Sequence, residues 1–150
     1  MTIEYSKQVM KNFMNPKNLG EIKNADGIGK VGNPNCGDIM HLYIKVKKKK
    51  GKEIISDIKF KTFGCAAAIA TSSMITQLAK GKTIQEAEKM KYEEVVTSLG
   101  GLPKIKVHCS MMAQEALKAA IKDYEKKKKL KKIKIATAAV TAASSVAINS

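Results

Sequence analysis

The 150 residues are about one domain's worth, enough to bury a core without covalent staples, and a hydrophobic share of 44% excludes a wholly disordered chain. No uninterrupted run of about 18 apolar residues is present for a conventional membrane span, and the opening MTIEYSKQVMKNF has no apolar stretch of the kind a secretory signal needs. All 28 cationic side chains are lysine, set against 13 acids for a net charge of +15, and the absence of arginine with only three Phe and four Tyr argues against nucleic-acid binding.

In chain order, Ser6 to Met14 predicts a short helix with Val9 and Phe13 on one face, stopped by Asn15-Pro16. A Gly- and Asn-rich stretch from Asn18 to Gly37 holds one extended piece around Ile28–Val31. Residues 39–47 alternate as a strand does, with Met40, Leu42, Ile44 and Val46 on one face and His41, Tyr43, Lys45 and Lys47 on the other. Residues 53–62 alternate likewise, with Ile54 or Ile55, Ile58 and Phe60 apolar, and the lysine-glycine segment between the two reads as a hairpin loop. From Cys65 the period turns helical: Ala66, Ile69, Ala70, Ser73, Met74, Gln77 and Leu78 recur at three- and four-residue steps, with Gly81 as a C-terminal cap. Thr83 and Glu86 form a capping-box signature, and a further helix runs from about Tyr92 to Leu99. The last helix starts near Cys109 or Ser110, with Ala113, Ala116, Leu117, Ala120, Ile121 and Tyr124 as its apolar stripe.

This order predicts an α+β domain: an N-terminal helix, a small antiparallel sheet of about three strands, and a C-terminal block of helices packed on the sheet. Residues 1–126 are expected to form the domain, and the lysine- and Ala/Ser/Thr-rich residues 127–150 a disordered or appended tail. Lys45 to Lys52 puts six lysines into eight positions, and residues 126–134 hold seven lysines with no acid. Such runs attract acidic surfaces; the plainer reading is a solvated hairpin tip and a frayed helix end.

The three cysteines, Cys36, Cys65 and Cys109, are odd in number and far apart, which with no export signal points to thiols kept reduced in a cytoplasm. A solitary buried cysteine is usually a small hydrophobe. Here each sits at an element boundary, in Asn35-Cys36-Gly37-Asp38, Phe63-Gly64-Cys65 and His108-Cys109-Ser110, where functional side chains are displayed. Cys65 and Cys109 fall where a helix should begin, and the positive end of its dipole favours thiolate. With His108 they make a Cys3His set, and Asp38 is a possible fifth ligand. Such a set fits tetrahedral zinc or a small iron–sulfur cluster. There is no CxxC pair, so a folding zinc finger fits poorly, whereas a site assembled from three loops suits exchange. His41, mid-strand among polar neighbours, reads as a surface residue.

At these residues the chain resembles the IscU/NifU N-terminal family of iron–sulfur cluster assembly scaffolds, from about Tyr5 to Lys126. The resemblance is carried by NPNCGDIM at Asn33–Met40, KFKTFGCAAAIATSS at Lys59–Ser73 and LPKIKVHCSMMAQEALKAAI at Leu102–Ile121. It implies Cys36, Cys65, His108 and Cys109 as cluster ligands, Asp38 as the competing metal ligand that keeps the cluster labile, and Lys106 as a cationic neighbour. It implies a cytoplasmic scaffold, not an enzyme, that takes sulfur from a pyridoxal-phosphate cysteine desulfurase. Iron and electrons come from donors, and a transient [2Fe-2S] cluster passes to apo-proteins, with no nucleic-acid or membrane partner. Cys109, flanked by His108 at a helix start, is expected to accept sulfur first, with Cys36 next. Leu102-Pro103-Lys104-Ile105-Lys106 departs from the family's Leu-Pro-Pro-Val-Lys, which argues against handover through a dedicated Hsp70-type chaperone. The rival reading is the superfamily's zinc-bound sulfur acceptor. That branch typically lacks a histidine beside the third cysteine and carries an insertion before it, so His108 and the short Gly100–Val107 connection favour the scaffold.

Overall fold

The computed structural model describes the backbone of residues 4–33 and 37–149, with side chains described for these except Asn33, Asp38 and residues 134–149. Nine elements follow one another among the described residues: α1 (Lys7–Met14), β1 (Gly27–Asn33), β2 (Asp38–Lys49), β3 (Lys52–Thr62), α2 (Ala66–Ala79), α3 (Ile84–Glu88), α4 (Tyr92–Ser98), a 3-10 turn (Lys104–Lys106) and α5 (Val107–Asn149). The three strands form one antiparallel sheet in the order β1-β2-β3. The architecture is α+β, as the element order predicts.

Local chemistry explains most boundaries. Ser6 caps α1: its Oγ accepts the Val9 N–H at 3.1 Å and donates to the Leu99 carbonyl, tying the helix to the end of α4. Thr83 Oγ1 accepts the Glu86 N–H at 3.1 Å and starts α3. Between β2 and β3 the turn is two residues long. Lys50 and Gly51 both have positive φ, 52° and 78°, the primed geometry that matches the twist of the strands.

A bulge decides which isoleucine enters the core. Lys45 pairs with Asp57 and Val46 with Ile55, so Ser56 is the extra residue, and its Oγ donates to the Lys45 carbonyl at 3.2 Å. The shift lets Ile55 join Ile58 and Phe60 in full burial on the face shared with Met40, Leu42 and Ile44. Tyr43, expected on the polar face, is also buried, between its cross-strand neighbours Ile28 and Lys59.

β1 carries almost no side-chain bulk towards α5. A Cβ at Gly29 would lie 2.1 Å from the Ala116 carbonyl oxygen, and one at Gly27 2.3 Å from that of Ala120. The glycines therefore let the alanine stripe of α5 rest directly on the strand. The Ile28 N–H donates to Asp123 Oδ2 at 2.9 Å and fixes the register of helix on strand.

Two helices differ from expectation. α2 is buried nearly all round, because α1, α5, β3 and α4 all pack on it. The buried set is Ala67, Ala68, Ala70, Thr71, Ser72, Ser73, Ile75, Thr76 and Ala79, whereas Gln77 of the predicted stripe is exposed. Its buried hydroxyls are satisfied locally, Ser72 Oγ donating to the Ala68 carbonyl at 2.7 Å and Thr76 Oγ1 to that of Ser73 at 2.7 Å. α5 begins at Val107, straight from the 3-10 turn, two residues before the earliest expected start. Beyond Lys126 the helix runs on to Asn149, and Lys128 pairs with Glu53 on β3. The stretch from Glu125 to Ala136 is made of helix formers and has no glycine or proline to stop it.

Candidate thiol site

Two of the three cysteines meet at one end of the sheet. Cys65 is the N-cap of α2, in extended conformation (φ −73°, ψ 177°), and its side chain makes no capping hydrogen bond. Cys109 is the third residue of α5, not its cap. The two sulfurs are 3.7 Å apart. That is far beyond a disulfide bond, but it matches the edge of a tetrahedron with metal–sulfur bonds of about 2.3 Å, which is about 3.75 Å. His108 Nε2 lies 3.6 Å from the Cys109 sulfur. Adjacent residues on a helix do not ordinarily face each other; the first turn allows it here.

The surroundings hold these groups in place. Cys109 packs with Ala67 and Ala68, and Tyr5 and Leu102 lie against the same cluster. Thr71 Oγ1 donates to the Cys109 carbonyl at 3.3 Å, pinning the first turn of α5 to α2. Lys106 stands beside Cys65: the Cys65 sulfur raises the Lys106 pKa, partial burial opposes it, and Tyr5 and Cys109 add to the rise.

The first cysteine motif approaches from the sheet. The Thr62 hydroxyl donates to the Ile39 carbonyl at 2.7 Å, and the Phe63 N–H reaches the same carbonyl at 3.1 Å. Met40 faces Thr62, so continuing that antiparallel register puts Asp38 opposite Gly64, next to Cys65. Gly37 has φ +72°, a left-handed conformation that glycine adopts without strain. Cys36 lies outside the described residues, as does the Asp38 side chain. Among the described residues no group of three or more His, Cys, Asp and Glu side chains is arranged to hold a metal ion. The described part of the expected ligand set is thus two contacts that share Cys109.

Cys109, expected at an open junction, is fully buried, while Cys65 is partly exposed. Its position on the third residue of α5 turns it towards α2 under Tyr5 and Leu102. The sequence by itself assigns no role to Tyr5 or Thr71, because their roles arise from contact with Cys109, far away in the chain.

Fold and site together define a small α+β domain that presents paired thiols and an imidazole at the first turns of two helices, with a lysine beside them. The chain belongs to the family described as the NifU-like N terminal domain, whose match spans residues 4–131 and so runs past Lys126. The iron–sulfur cluster assembly scaffold protein IscU 1 of Archaeoglobus fulgidus is 59% identical over 131 residues, covering 87% of this chain and 83% of that protein. The iron–sulfur cluster assembly scaffold protein IscU of Aquifex aeolicus is 48% identical over 124 residues, 83% of this chain and 78% of that protein. A crystal structure titled as a putative iron–sulfur cluster assembly scaffold protein for the SUF system, from Fervidobacterium islandicum, superposes with a TM-score of 0.62. It is 28% identical and covers 78% of this chain and 96% of its own.

Proposed function

We propose that this protein is a scaffold on which an iron–sulfur cluster is assembled and from which it is passed to apo-proteins. The single observation that carries the reading is the Cys65–Cys109 sulfur pair, 3.7 Å apart, flanked by His108 and Lys106. That spacing lets both thiolates bind one tetrahedral iron with little movement. Cys36 completes a three-thiolate set with His108, and Asp38, at the start of β2, is the exchangeable oxygen ligand that loads and releases iron.

A scaffold thiolate attacks the outer sulfur of the desulfurase persulfide; the S–S bond breaks there, and the desulfurase leaves as thiolate. Each transferred sulfur is sulfane, so two electrons from an electron donor are needed to reduce it to sulfide. The cargo is a [2Fe-2S] unit. Its chemistry is that of the cluster, and the protein supplies geometry and lability. The burial of Cys109 argues that Cys36, the second candidate acceptor, meets the persulfide first.

The test is anaerobic reconstitution with iron, cysteine and a cysteine desulfurase, followed by visible absorption. The parent protein develops cluster bands. Single Ala replacements at Cys36, Cys65 or Cys109 abolish stable assembly, and His108→Ala shifts the spectrum or weakens it. A Cys36→Ala protein that reconstitutes with unchanged yield and spectrum overturns the ligand assignment. Persulfide uptake with zinc bound, but no cluster bands, overturns the scaffold reading in favour of a zinc-bound sulfur acceptor.

A further inference from the structure

The two lysine runs, about 80 residues apart in sequence, come together in space. Lys128 of α5 pairs with Glu53, the second residue of β3, and Tyr124 donates to the same carboxylate at 2.7 Å. This seats α5 alongside the tip of the β2–β3 hairpin. Two clefts flank the helix there. One, about 680 Å³, is lined by Lys52, Lys128, Lys129 and Lys132 with Gln85 and Glu125. The other, about 480 Å³, is lined by Lys48, Lys127, Lys128 and Lys131 with Asp26 and Tyr124.

Three of the four acids nearby are already engaged, Glu125 being the exception among the described residues. Glu53 is held by Tyr124 and Lys128; Asp123 accepts from Lys127 at 2.9 Å and from the Ile28 N–H; Asp26 accepts the Val46 N–H at 2.8 Å and lies 3.7 Å from Lys45. Among the described residues, Lys129, Lys131 and Lys132 have no carboxylate within ion-pair distance. The surface therefore carries a concentrated positive charge that the fold does not neutralise. It is also remote from the thiols. Lys128 is about 28 Å along α5 from Cys109 at about 1.5 Å per residue, and the hairpin tip is at the opposite end of β2 from Asp38.

We propose that the hairpin tip and the Lys127–Lys132 stretch of α5 together form a docking surface for an acidic polypeptide segment. Three features select that partner. The clefts are concave, where a lipid bilayer needs a flat or convex face. Glu125 and Asp26 sit among the lysines and repel a continuous phosphodiester backbone, whereas a peptide can place each carboxylate against a lysine and a neutral residue elsewhere. The surface offers point charges from lysine and no guanidinium fork. A partner bound here leaves the thiol end of the molecule clear. The inference goes beyond the scaffold reading and does not need a cluster, so its test and the reconstitution test fail separately.

The experiment is fluorescence anisotropy of a short labelled oligo-glutamate peptide on the full chain at low salt. The hairpin pair Lys48→Glu/Lys52→Glu and the helix pair Lys129→Glu/Lys132→Glu each lower affinity about tenfold or more, because either reversal places like charges in the shared clefts. The Lys→Gln versions of both pairs, which keep an uncharged polar stem, weaken binding in the same pattern and report the result if a Glu variant does not fold. A hairpin pair that binds within roughly twofold of the parent overturns the proposal, because the α5 run then acts alone as a charged extension. Tighter binding of oligo-dT of equal charge, or of phosphatidylcholine/phosphatidylglycerol vesicles, also overturns it, in favour of nucleic acid or membrane respectively.

Discussion

Replacing Gly29 by alanine probes the joint that carries the thiol helix. The added Cβ would stand 2.1 Å from the Ala116 carbonyl oxygen and 2.6 Å from the Ala120 nitrogen, both backbone atoms of α5. The closest comfortable carbon–oxygen approach is about 3.3 Å, so strand and helix must part by roughly 1.2 Å. No side chain can rotate away to absorb this. Overpacking of this kind costs about 3 kcal/mol, the upper part of the usual range, and for a chain of this size each kcal/mol moves Tm by about 2–4 °C. The midpoint of thermal unfolding, followed by circular dichroism, should therefore fall by about 6–12 °C. Displacing α5 also moves its first turn, so the 3.7 Å sulfur spacing opens and reconstituted cluster yield drops. Gly51→Ala is the control. Gly51 has φ +78° and nothing within 4 Å of a Cβ, so it loses only the about 1 kcal/mol of left-handed backbone preference and keeps full cluster yield. A Gly29→Ala protein with Tm and cluster yield equal to those of Gly51→Ala would refute the close-approach argument.

Three further outcomes are expected. The Lys128 hydrogen bond first, then that of Tyr124, lowers the Glu53 pKa below its ordinary 4.5. The stabilisation is therefore complete above pH 4.5 and lost as pH falls through the depressed folded value; Glu53→Gln, measured by urea unfolding from acid to neutral pH, loses about 1 kcal/mol at neutral pH and flattens the acid limb. Thiol labelling mapped by mass spectrometry should modify Cys65 before Cys109, and Tyr5→Ala should speed Cys109 labelling roughly tenfold by uncovering it; equal rates in the parent would contradict the burial of Cys109. Asp38→Ala should lengthen the life of a reconstituted cluster under chelator, with Asp38→Asn doing the same; if Asn behaves as the parent and only Ala differs, Asp38 is a turn cap.

The segment whose sequence argues against an Hsp70-type handover borders the thiols. Pro103 precedes the 3-10 turn, Lys104 and Ile105 are exposed, and Lys106 turns in towards Cys65. The segment is thus both a surface loop and one wall of the thiol site. A partner that grips it touches the helix that carries His108 and Cys109.

Element order, the alternation of β2 and β3, the cap at Thr83, and the position of Cys65 at a helix start are all readable along the chain. They are set by residues within a turn or two of each other, where periodicity and capping chemistry act. The family resemblance is legible for the same reason, in three short motifs each centred on a cysteine. That Ile55 and not Ile54 enters the core is not readable in this way, because the bulge at Ser56 is a matter of pairing between strands. Nor is the use of Gly27 and Gly29 as seats for α5, or the enclosure of α2 by its neighbours. The burial of Cys109 under Tyr5 and Leu102, and the meeting of the two lysine runs around Glu53, belong to the same class. Each depends on a distance between segments tens of residues apart, and a linear pattern specifies which faces seek cover, not which surface will provide it.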